Sequence, residues 1–184
     1  MSHQLCQKMY STIIVLLVLC VLVGNVVSQK KDNTSAHLQP QHRAAVERWL
    51  VQRSNLRPAV DGDYVDKKFL ASERESFENY HPYYLVADFN GDKKDDFAIA
   101  LVDTQKQARK FAIAVFNGPV GQESVPAFFR EGFDFHRMAF TSAEDIDVKG
   151  RTSLFVENPD TGKGWMLRRS RKGYILTPSQ NDFN

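Results

Sequence analysis

Asp88, Asn90, Asp92 and Asp96, within the segment YYLVADFNGDKKDDFAIAL, are the residues of this sequence whose types and spacing could do chemistry. Counted from Asp88 they fall at loop positions one, three, five and nine, with the Lys94 carbonyl at position seven. Alternate residues of a tight loop turn inward together, and a calcium ion takes six to eight oxygens at about 2.3–2.6 Å. Three carboxylates held this close repel one another unless a cation lies between them. The competing reading is a polar turn, because Asp and Asn also make turns by bonding their own backbone. An EF-hand is excluded: its loop needs a carboxylate at position twelve, where this chain has Ile99.

With an apolar segment before it and two after it, this loop resembles the calcium loop DxNxDxxxD of FG-GAP/VCBS-type repeats, as found in integrin-like β-propellers. Residues 83–118, about a fifth of the chain, cover one such unit. The resemblance implies a structural Ca2+ held by Asp88, Asn90, Asp92, the Lys94 carbonyl and Asp96. Family loops carry glycine at position six, where the backbone takes a positive φ; here the residue is Lys93, a replacement that costs roughly 1 kcal/mol. A propeller needs several blades and the sequence holds no second copy of the loop, so a full β-propeller is not expected.

Trp165, Arg168, Arg169, Arg171 and Lys172 gather near Tyr174 in a basic hairpin that could meet an anionic polymer, a lipid headgroup or an acidic protein. The same charges would also blunt an edge strand against aggregation. His42, His81 and His136 lie far apart without a CxxC or HExxH partner and read as surface or capping histidines. Glu47, Glu73 and Glu75 read as solvated helical glutamates. Two further acidic groups, Asp61, Asp63 and Asp66 and then Glu144, Asp145 and Asp147, lack the full ligand spacing. No glycine-rich phosphate loop and no GxSxG elbow is present.

The elements that must position the loop follow from the periodicity. A polar start with Lys8, the apolar run 13–23 and the small residues Gly24 and Ser28 predict a signal peptide over residues 1–28, the alternative being an N-terminal membrane anchor. Residues 29–40 read as a flexible linker and 41–184 as a single domain. Both cysteines, Cys6 and Cys20, fall in the leader, so the domain must be held by a core rather than by disulfides. A net charge of +2 argues against a dedicated nucleic-acid binder.

Ala45, Val46, Trp49 and Leu50 recur at helical spacing, and Ser72 with Glu75 has the spacing of a capping box, with Phe77 and Tyr80 facing inward. Strands are predicted over 83–87, 97–102, 110–116, 127–133, 138–141, 153–157, 164–169 and 174–177. In Phe97–Val102 and Lys110–Phe116 large residues alternate with alanines, the mark of a central strand covered on both faces; the alanine face would admit the Trp49 helix. The expected fold is α+β, an antiparallel meander with one or two N-terminal helices on one face. The functional expectation is an exported, secreted or periplasmic calcium-binding module, non-catalytic, recognising a protein or glycan at the cell envelope. The alternative is a small hydrolase whose carboxylates converge only in the fold.

Overall fold

A computed structural model describes residues 35–121, 123–134, 138–144, 151–158, 161 and 163–179. The expected leader and half of the expected linker, residues 29–34, together with His136, Asp145 and Asp147, lie outside these residues. Among the described residues no helix is long and apolar enough to cross a membrane.

Two helices and nine strands are described. Helix α1 spans Pro40–Leu50 and strand β1 Leu56–Pro58, followed by a 3-10 turn at Asp61–Asp63 and helix α2 at Lys67–Ser76. Strands β2 (Tyr84–Ala87), β3 (Asp96–Asp103), β4 (Phe111–Phe116) and β5 (Phe128–Phe133) complete a first antiparallel sheet. Strands β6 (Ala139–Glu144), β7 (Thr152–Glu157), β8 (Gly164–Ser170) and β9 (Gly173–Ser179) form a second, ordered by sequence. In the first sheet β1 and β2 pair successive stretches of the same edge of β3, and neither sheet closes on itself. The α+β meander is therefore as expected in outline, with the meander split into two sheets.

Every residue of β3 and β4 is buried, and the register explains how both faces are filled. Ile99 sits opposite Ala114, Leu101 opposite Ala112, and Ala98 opposite Val115. Each strand does put its large residues on one face and its alanines on the other. The pairing then sets large against small, so neither face of the sheet is the alanine face the alternation suggested. Interleaving large and small residues fills the space above a sheet without voids. One face, with Phe97, Ile99, Leu101, Ala112, Ala114 and Phe116, clusters with Leu38 and Val46, and Trp49 and Leu50 of α1 pack against it. The other face joins Phe140, Leu154, Val156 and Leu167 of the second sheet and Leu70 of α2 in one core. The expectation of helices on one face therefore holds for α1, whereas α2 joins the core on the far side, where a second sheet supplies the other cover.

Three local expectations also change. Helix α2 starts at Lys67, not at Ser72, because the Asp66 carboxylate accepts the Phe69 N–H (2.9 Å) and so caps the helix. Ser72 and Glu75 then lie inside the helix; Phe77 ends it, 63% exposed, and Tyr80 follows in the loop. Strand β1, with Pro58 at its end, was not expected at all. At the amino terminus the described residues begin within the expected linker: Leu38 is buried, its N–H bonds the Ser35 carbonyl, and α1 opens at Pro40 with proline in the first turn.

Candidate metal loop at the junction of two sheets

The loop of residues 88–95 connects β2 to β3, and its shape is set by side chains folding back onto its own backbone. Asp88 Oδ1 accepts the N–H groups of Gly91 (2.7 Å) and Asp92 (3.1 Å), and Oδ2 accepts that of Lys93 (2.8 Å). Asn90 Oδ1 accepts the Asp92 N–H (2.8 Å), and Asp92 Oδ1 the Lys94 N–H (2.9 Å). Such contacts tighten the bend and require left-handed backbone, found at Gly91 (φ 83°) and Lys93 (φ 67°). The positive φ expected at position six is present, and a lysine adopts it.

Asp96 is placed differently. It opens β3, is fully buried, and is the hub of a hydrogen-bond network. Its Oδ2 accepts from the N–H groups of Phe89 and Asn90 (both 3.0 Å), and its Oδ1 from Asn90 Nδ2 (3.2 Å) and Gly118 N–H (2.7 Å). Burial pushes its carboxyl above the usual range, against the pull of the three N–H donors, and Asp92 adds to the rise. From the second sheet, the Tyr174 hydroxyl donates to Asn117 Oδ1 (2.7 Å) and reaches Asp96 Oδ2 at 3.5 Å. Burial and the nearby Asp96 charge raise the Tyr174 phenol well above its ordinary value, which keeps it a donor.

Other contacts bind the loop to its surroundings. The Thr152 N–H, at the start of β7, donates to the Asp88 carbonyl (2.9 Å), and the Arg151 side chain lies against Gly91. Gly118 is required where it stands: a Cβ there would lie 2.1 Å from the Asp95 carbonyl oxygen. The loop is thereby a junction, held to the β4–β5 connection through Gly118 and to the second sheet through Thr152 and Tyr174. Sequence spacing found the loop. It missed Asn117, Gly118, Arg151 and Tyr174, since nothing local links residues so distant along the chain.

Whether this loop fits a cation is a question of donors and their present partners. The side chains of Asp88, Asn90 and Asp92 and the Lys94 carbonyl are all hard oxygen donors, the chemistry calcium takes. Asp88, Asn90 and Asp92 are gathered on one short loop, whereas the Asp96 carboxylate is drawn into the buried network. Among the described residues no three His, Cys, Asp or Glu side chains form a group that could hold a metal as they stand. Loading therefore asks Asp88 and Asp92 to share their oxygens between an ion and the loop N–H groups.

The basic hairpin is divided by the pleat. Trp165 faces the core, edge-on to Phe133 (5.3 Å), and Arg169 lies over the Tyr174 ring (5.4 Å) on that same side. Arg168 falls on the opposite face, and of these residues only Arg171 and Lys172, at the turn, are exposed rather than half-buried. His42 proves to be a core histidine, 1% exposed and stacked on Phe97 (4.1 Å), not a surface one.

Two clefts are described. A groove of about 510 Å³ lies between the end of α1 and the β4–β5 connection, where Arg48, Trp49, Arg53 and Glu123 meet the exposed Val51 and Val125. The Arg53 guanidinium covers the Trp49 ring at 4.4 Å. A smaller cleft of about 290 Å³ contains two carboxylates, Asp63 and Asp134. Asp63 is gripped by both Arg57 amino groups (2.7 Å each). Burial pushes its carboxyl upward, but Arg57 and the Val60 N–H outweigh it and leave the group below its ordinary range. Compared with known proteins, the chain matches no family model, no curated protein and no solved structure.

Proposed function

We propose that this chain is an exported, non-catalytic binding module whose loop 88–96 takes a structural calcium ion, in the manner of an FG-GAP/VCBS-type repeat, and so stiffens a surface that recognises a protein or glycan at the cell envelope. The observation that carries the reading is the loop itself. Its oxygen donors keep the required spacing, Lys93 holds the left-handed turn at position six, and the loop stands between a strand and two successive partners of one sheet. Asp88, Asn90, Asp92 and the Lys94 carbonyl would hold the ion, with Asp96 anchoring the loop beneath them. The chemistry calcium supplies is cross-linking by charge, which relieves repulsion between Asp88 and Asp92. With only two blade-like sheets among the described residues, the proposal does not extend to a full propeller.

The non-catalytic part of the reading is supported by what the clefts contain. The larger one presents an aromatic ring, two guanidinium groups and one carboxylate, the mixture of a recognition surface. In the smaller, Asp63 is pinned as a carboxylate, whereas a general acid needs its pKa raised. Export rests on the apolar leader of residues 1–28 and on cysteines confined to it.

One observation favours a second reading, in which the loop is a cation-free turn: its carboxylates already serve N–H groups. Calorimetric titration with calcium separates the two. The proposal expects saturable binding in the range of about 10⁻⁴–10⁻³ M that Asp92→Ala abolishes. No heat beyond dilution in the unsubstituted protein would leave the loop a turn.

A further inference from the structure

The short strap Ser35–Gln39 precedes α1 and is fastened by polar contacts around one tyrosine. The Tyr84 hydroxyl lies 2.7 Å from His42 Nδ1 and faces the Gln39 N–H. Arg43 holds the strap carbonyls of Ala36 (2.8 Å) and Leu38 (3.4 Å), and Ser35 Oγ donates to Glu47 Oε1 (3.1 Å). Leu38 fills a seat against the first sheet. The His37 ring lies 5.0 Å from the His81 ring and 6.0 Å from that of Tyr84.

The contact at His81 calls for a neutral imidazole. His81 Nδ1 faces an Arg74 amino group at 3.4 Å, and a guanidinium can only donate, so that nitrogen must be an acceptor. We propose that His37 and His81, closed around Tyr84 and flanked by Arg43 and Arg74, form an acid-released latch. At neutral pH it holds the Ser35–Gln39 strap on the sheet; when both rings take up protons it lets the strap go.

The charges facing the pair favour release. His37 meets His81, Arg43 and Arg74, and only Asp61 opposes them, itself paired with Arg74 at 2.7 Å. His81 meets Arg74 and His37, again with Asp61 as the one counter-charge. His42 has Asp95 as its charged neighbour. Burial, more than any single charge, lowers all three, His37 from its ordinary 6.5 to about 4. A base whose folded pKa is depressed stabilises the fold above its unfolded value, and that contribution is lost as pH falls through the folded one. The window for His37 is therefore from pH 6.5 down to about 4. Release would uncover the apolar seat of Leu38 on the sheet face that α1 shares.

Amide hydrogen exchange of the full chain, corrected for the intrinsic pH dependence, tests the latch. Residues 36–43 should exchange at least about tenfold faster at pH 5 than at pH 7.5, the equivalent of one unit of pKa difference, while β4 keeps its protection. The double variant His37→Gln, His81→Gln should lose the pH difference. Equal strap protection at both pH values, or an acid response that survives in the double variant, overturns the proposal. Should that variant fail to fold, histidine titration by NMR in the unsubstituted protein decides: His37 and His81 midpoints well below 6.5 support the latch, and midpoints at 6.5 overturn it.

Discussion

Lys93 and Tyr174 show how single residues carry the junction. Lys93 sits at φ 67°, a conformation that costs a side-chain-bearing residue about 1–2 kcal/mol, while glycine visits it freely. Glycine gives part of this back through a more mobile unfolded chain, so Lys93→Gly should stabilise the protein by about 0.5–1 kcal/mol in chemical denaturation. Tyr174→Phe removes the hydroxyl that joins Asn117 and Asp96 across the sheets, and should destabilise by about 0.5–1.5 kcal/mol. The ligand-type residues of the loop were legible because their spacing is local. Tyr174 was legible only as a neighbour of basic residues, since its partners lie 57 and 78 positions away.

At the scale of elements, runs of β-branched and aromatic residues between turn residues located the eight longer strands to within a few residues, and in β3 and β4 the buried pleat also left a period of two. Strand β1 left no such mark: three residues ending in proline cannot show a period, and its place is fixed by pairing with Leu101–Asp103. Helix α2 is the instructive case. Ser72 and Glu75 have the spacing of a capping box, yet Asp66 takes the cap by bonding the Phe69 N–H, and the box residues become ordinary helical positions. Asp66→Ala should therefore cost about 0.5–2 kcal/mol, and Ser72→Ala no more than about 0.5 kcal/mol; urea unfolding of the two variants compares them directly. A reversed order would return the helix start to Ser72.

For the whole molecule, the main lesson is that the two faces of β3 and β4 need different covers. Large-against-alanine pairing fills the layer under α1 and leaves Ile113 and Val115 to reach the second sheet. That second cover was not legible, because the strands that supply it come after residue 138 and reveal no partner in their own pattern. Loop 88–96 lies where the sheets meet, tied to both through Gly118, Thr152 and Tyr174. A cation there would brace both sheets at once, and stability of the entire unit would depend on it.

Thermal unfolding of the protein in chelator and in a few millimolar calcium tests this claim most directly. A site with a dissociation constant of about 10⁻⁴ M should add about 2 kcal/mol, a rise in Tm of about 4–8 °C, in a single transition that includes both sheets. Asp92→Ala should erase the rise and leave the chelator curve almost unmoved. An identical Tm with and without calcium would contradict the account, and would make the junction one of hydrogen bonds alone.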